Sequence, residues 1–163
     1  VNGEGYKKVQ KGNGFNYGLG ATLTPLKGLQ IRLYGGFNDS GENGKAGVVN
    51  MAGFIGYKNE NFTLGAEYNH MLNASGKDGN DQFGYSVFGS VNLPKNVSLY
   101  ARFDDLYSKD NWNIAKDEQA AIVGAQFKLG KFVKIAPNFR MNIPKASGAE
   151  NKYSAYVSCY FGL

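Results

Sequence analysis

The chain has 163 residues, a formal net charge of +5, one Cys, and 23 Gly against 4 Pro. Its length suits one domain, 11 Tyr and 11 Phe argue against disorder, and the lone Cys159 excludes an intrachain disulfide. No run approaches the ~18–20 consecutive apolar residues of a transmembrane helix, which leaves β-barrels open because they place apolar residues at alternate positions.

Val1 in place of an initiating Met predicts a processed or trimmed product, and residues 1–14 read as an external loop or frayed start, with a short extra strand at Tyr6–Gln10 as the alternative. Nine alternating segments follow, at 15–24, 29–37, 47–57, 62–71, 83–93, 97–107, 119–129, 132–141 and 152–163. Alternation at every second residue predicts strands with two unlike faces. Tyr17, Leu19, Ala21 and Leu23 begin the apolar face, which runs without a charge through Phe103 to Val157, Cys159, Phe161 and Leu163. The opposite positions carry Gly, Ser, Thr, Asn, Gln and charged residues. Short breaks near 26, 59, 95 and 131 alternate with long Gly-, Asn- and Asp-rich ones near 42, 77, 113 and 147. A short and a long connection thus recur about every 35 residues, and period-2 alternation makes the unit a β-hairpin, not a helical repeat or a propeller blade. Residues 1–163 are expected to form one all-β domain.

Alternation alone also fits a soluble sandwich or a lipocalin-like barrel. Three features favour a bilayer. Segments of roughly ten residues match the 9–11 of a tilted membrane-crossing strand. Long and short connections segregate to opposite ends, as external loops and periplasmic turns do. Aromatics cluster at the ends of the apolar face: Tyr17, Phe37, Tyr68, Tyr85, Phe103, Phe139 and Tyr153 near the long loops, and Tyr57, Phe62, Phe127 and Phe161 near the short turns. Such rings suit the headgroup level, so they are the expected interface aromatics. The expected fold is a transmembrane antiparallel up-and-down β-barrel in the bacterial outer membrane. Barrels with an even strand number keep both termini inside, so nine strands predict the C-terminal part of a larger barrel of about 12–18 strands, with a complete ten-stranded barrel as the alternative.

The segment Tyr153-Ser154-Ala155-Tyr156-Val157-Ser158-Cys159-Tyr160-Phe161-Gly162-Leu163 resembles the terminal strand of bacterial outer-membrane barrel proteins. The resemblance implies that Val157, Cys159, Phe161 and Leu163 form the signal read by the barrel assembly machinery; Leu163 stands where the family usually has Phe or Trp. More locally, Tyr100-Ala101-Arg102-Phe103-Asp104-Asp105-Leu106 with Ile122-Val123-Gly124-Ala125 resembles the C-terminal region of the phosphate-selective porin family. The implied partners are outer-membrane lipid, the assembly machinery, and a homotrimer or larger envelope complex seated on outward Gly35, Gly53 and Gly89, although close strand packing explains those glycines equally well.

Arg32, Glu67, Arg102, Asp104, Lys128, Lys134 and Arg140 fall at inward positions and are the candidate lumen-lining residues. Their basic excess would focus a potential that favours anions; the competing role for Glu67 and Asp104 is to pair with arginines and brace the wall. The expected function is a porin-like channel for passive diffusion of small solutes, anions among them. The alternative is a non-conducting barrel acting through its external loops or within an envelope complex. Catalysis is not expected: His70 sits outward beside Tyr68 with no nucleophile–base arrangement around it. The Asp39–Gly44 and Lys77–Gln82 segments lack a full calcium-ligand set, so no metal or cofactor is expected. Trp112 reads as a surface or partner contact, Cys159 as a small apolar residue facing lipid, and the scattered positive charge gives no nucleic-acid footprint.

Overall fold

A computed structural model describes residues 14–39 and 41–162. They hold nine strands: β1 (Asn16–Leu26), β2 (Leu29–Asn38), β3 (Val48–Lys58), β4 (Phe62–Leu72), β5 (Gln82–Leu93), β6 (Val97–Ser108), β7 (Glu118–Leu129), β8 (Val133–Pro144) and β9 (Lys152–Phe161). Each pairs antiparallel with the next in chain order, giving one uninterrupted nine-stranded sheet. Two packed sheets, as in a sandwich, are therefore not what these hairpins build. The expected residues of the first loop and of a Tyr6–Gln10 strand lie outside the described residues, as does Leu163.

The strands outrun their alternating segments by one to three residues at several ends. β6 continues to Ser108 and β8 to Pro144. Alternation reports which side chains meet an apolar phase, whereas the hydrogen-bonded ladder continues into polar sequence. Proline perturbs this ladder at two places, because it has no amide hydrogen to donate. Pro25 lies where the β1–β2 register shifts between Leu23 and Leu26. In the β7–β8 pair, the register passes from Gly124 opposite Asn138 to Phe127 opposite Ile135, skipping Pro137.

The Lys27–Gly28 turn has the tightest backbone approach. Gly28 adopts φ +88°, its carbonyl accepts from the Lys58 amide at 2.9 Å, and a Cβ there would collide with the Lys58 carbonyl oxygen. That atom belongs to the backbone and cannot swing aside. Gly28→Ala is expected to destabilise by about 2–3 kcal/mol, from left-handed strain plus the clash. Gly130 also has positive φ, +73°, but faces open space. Gly130→Ala should cost only about 1 kcal/mol. Equal denaturant midpoints for the two variants would show that the first turn does not rest on β3.

The long connections are tied to one another. The Ala46 amide donates to the Gly76 carbonyl at 2.9 Å, joining the first to the second. The Asp81 carbonyl accepts from the Lys109 amide at 2.9 Å and from the Trp112 indole Nε1 at 2.8 Å, joining the second to the third. The Lys145 amide donates to the Asp117 carbonyl at 2.8 Å, joining the third to the fourth. Trp112, expected as a surface or partner contact, is half-buried and uses its only polar atom as a strut between loops.

No apolar core underlies the sheet. Ala74, in a loop, is the one buried apolar residue among the described residues. Large apolar side chains stand open along the strands, with Leu19 81% exposed and Val157 67%. Backbone ladders and cross-strand pairs hold these strands together.

Candidate functional site

Directly opposed residues of antiparallel strands share a face, so the register defines two neighbouring rows on the polar side. In the row nearer the long loops, Arg32 faces Phe54, Phe54 faces Glu67, Glu67 faces Ser86, and Ser86 faces Asp104. In the next row towards the short turns, Gly56 faces Gly65, Gly65 faces Phe88, Phe88 faces Arg102, and Ile122 lies between Arg102 and Arg140. Lys128 and Lys134 oppose each other near the Gly130 turn. All seven sequence-predicted polar-face residues thus lie on one side of the sheet.

Glycine makes room for the rings in these rows. Phe88 reaches over Gly65, where a Cβ would meet its Cζ at 2.6 Å, and Phe54 lies over Gly56 in the same way. Because Gly56 and Gly65 are partners, the two rings come side by side, with centroids 6.2 Å apart and planes within 14°. A guanidinium flanks each: Arg32 Cζ lies 5.7 Å from the Phe54 centroid and Arg102 Cζ 5.8 Å from that of Phe88. Five consecutive strands, β2 to β6, therefore present a cation, two rings and a second cation.

The two arginines differ in their partners. Arg102 donates through Nε to both carboxylate oxygens of Asp104, at 2.9 and 2.8 Å, and through Nη2 to Oδ1 at 2.8 Å. Arg32 has no carboxylate within ion-pair distance among the described residues. Glu67 accepts from Asn69 Nδ2 at 2.6 Å. Bracing thus takes the form of one Asp104–Arg102 pair, with Glu67 held by an amide.

Further cations stack on rings. Arg140 lies 4.6 Å from the Tyr156 centroid while its Nε donates to Asn138 Oδ1 at 2.9 Å, and Lys134 Nζ lies 5.4 Å from the Tyr160 centroid. Opposed like charges are unfavourable in a sheet, and the Lys128–Lys134 pair has no carboxylate in ion-pair range among the described residues. The corner of this face beside the Gly130 turn is consequently positive.

The expected interface aromatics lie on the apolar side of the sheet, with Phe103 and Phe139 near mid-strand. Tyr68 and Tyr85 have centroids 5.1 Å apart, Phe139 and Tyr153 6.1 Å, and at the other end Tyr57 and Phe62 5.7 Å. Tyr17 faces Phe37, Phe103 faces Val87, Phe127 faces Ile135, and Phe161 faces Val133 on the same side. Val157 and Cys159 line the exposed β9 edge strand between Tyr153 and Phe161. His70 stacks on Phe83 at 4.2 Å beside Tyr68, and Phe83 stacks on Tyr107 at 4.9 Å.

Beyond these rings the apolar side turns polar. Asp105 accepts from Gln119 Nε2 at 3.3 Å and pairs with Lys145, whose ammonium lies 5.0 Å from the Tyr107 centroid. From Asp105 back to Val97, eight residue steps cover ~27 Å along the strand, which sets the height of the uncharged band. Alternation hid this rim, because its members lie past the last apolar position on three strands. It hid Phe54 and Phe88 for a related reason: they are apolar residues at polar positions, and that break in alternation was their only signal. Among the described residues no group of three or more His, Cys, Asp and Glu side chains converges on a metal-sized point.

No protein-family model and no curated protein matches the chain.

Proposed function

We propose that this sheet is wall of an outer-membrane β-barrel that conducts small solutes, with the polar face lining the lumen and the apolar face against lipid. The observation that carries the reading is the uncovered apolar face: it holds no charge over ~27 Å of strand, is rich in aromatics, and packs against no second layer among the described residues. Water would leave this surface at a large free-energy disadvantage, since each large apolar side chain moved out of water contributes about 1.5–3 kcal/mol. Lipid removes that disadvantage, whereas the Gly-, Ser-, Asn- and Arg-rich opposite face requires water or polar partners.

Strand direction supports completion of the cylinder by further strands. β1 and β9 run the same way and are not bonded to each other, so antiparallel closure requires an odd number of additional strands between them. The likeness of Val157–Phe161 to outer-membrane terminal strands supports recognition by the barrel assembly machinery. The resemblance to porins supports a trimer or a larger envelope assembly.

The lumen carries more cations than carboxylates, which favours anions in a confined polar space. Conductance of the protein in planar bilayers tests this reading: an ohmic pore is expected, and a silent bilayer supports the non-conducting alternative. Arg32→Ala with Arg102→Ala removes one cation that has no carboxylate partner among the described residues and releases Asp104 from another. The anion-to-cation permeability ratio should fall by about twofold or more. An unchanged ratio would overturn anion preference.

A further inference from the structure

The cluster Arg32, Phe54, Phe88 and Arg102, drawn from two neighbouring rows, has a composition that a general anion sieve does not require. Chloride or phosphate gains nothing from an aromatic ring, and a water-filled wall would be served by Ser or Thr at both Phe positions. Instead, two rings on strands separated by β4 are brought together over the paired glycines Gly56 and Gly65. Both are only half-buried. We propose that this cluster is a binding subsite for planar aromatic carboxylates, the ring of the solute lying against Phe54 and Phe88 and its carboxylate against Arg32.

The division between the guanidiniums sets the direction of binding. Arg102 is held in a forked pair with Asp104 through Nε and Nη2, so its charge is balanced by a carboxylate that repels an incoming anion. Arg32 has no carboxylate partner among the described residues and lies at the Phe54 end, 5.7 Å from that ring's centroid. A benzoate-sized anion spans the distance from a ring face to a neighbouring guanidinium. A fork-shaped carboxylate also matches the guanidinium plane. Asp104 and Glu67 on the same rows repel a second carboxylate, which favours monoanions over dianions.

The subsite rests on the polar face being open to water, as in the channel reading, but it does not require conduction. The test is therefore equilibrium binding to the full-length protein in liposomes, with protein-free liposomes subtracted, using radiolabelled benzoate, cyclohexanecarboxylate and acetate. Benzoate should bind saturably and about tenfold more tightly than either of the others, a preference that aromatic stacking supplies and charge alone does not. Phe54→Leu with Phe88→Leu, which keeps an apolar cover over the glycines, should erase that preference. Arg32→Gln should weaken benzoate by about tenfold without making acetate tighter. Equal binding of benzoate and acetate to the unaltered protein would overturn the proposal irrespective of how any variant folds. So would a benzoate preference that survives the double Leu variant. Saturable benzoate binding in a protein that passes no current would uphold the subsite and reject only the channel.

Discussion

Val87→Arg is expected to lower the stability of the membrane-inserted protein by about 2–4 kcal/mol, whereas Ser90→Arg, three residues along the same strand, should be tolerated. Val87 lies between Ala66 and Phe103 on the apolar face, one pair inside Tyr85 and Asp105, and is 50% exposed. Ser90 lies on the opposite face, between Thr63 and Tyr100. An arginine at Val87 must drag its guanidinium to an interface or thin the bilayer, while one at Ser90 enters a polar space. Urea titration of both variants in phosphocholine vesicles measures the difference. Matching midpoints would mean that the apolar face does not meet lipid, and the barrel reading would fail with them.

The second large effect is expected at the loop rim. Asp117 is 1% exposed, and its Oδ2 accepts from the Ser108 amide at 2.8 Å and the Ser108 hydroxyl at 2.5 Å. Ser108 is itself buried, and its hydroxyl also accepts from the Asn113 amide at 3.1 Å. Asp117→Ala strips the buried amide and hydroxyl of a charged acceptor, at about 2–4 kcal/mol. Asp117→Asn keeps a side-chain oxygen as acceptor and should recover part of that loss. The readouts are thermal unfolding and trypsin cleavage after Lys109 and Lys116, which flank this loop. Cleavage in Asp117→Ala should outpace both the parent protein and Asp117→Asn. Identical digestion patterns would show that the carboxylate does not organise the loop.

These two sites differ in how far they were legible in the chain. Val87 is an ordinary member of an alternating run, and its outward position follows from the period of two. Asp117 lies in a polar loop among other polar residues, and nothing in its neighbours marks it as the most buried side chain. Its burial comes from Ser108 folding back across a nine-residue interval. The Trp112 strut has the same origin, since its partner Asp81 is 31 residues away in another loop.

Strand identity, up-and-down order and the separation of a charged from an uncharged face were all determined by the sequence. They depend on local quantities, namely alternating side-chain polarity and Gly-, Pro- and Asn-bearing turns, which act within ten residues or so. The seven polar-face candidates and the face that carries the aromatics were placed by that same period.

The tertiary structure alone decided which residues on a face become neighbours. Register across five strands sets Arg32 and Phe54 in one row and Phe88 and Arg102 in the next, and a facing glycine pair lets the rings approach. It also gave Asp104 to Arg102 and joined Asp105 to Lys145, 40 residues apart, at the edge of the uncharged band. The opening composition, one domain without a membrane-spanning helix, said nothing of such pairs. Cross-strand proximity is set by hydrogen-bond register between distant segments, and no local pattern encodes it.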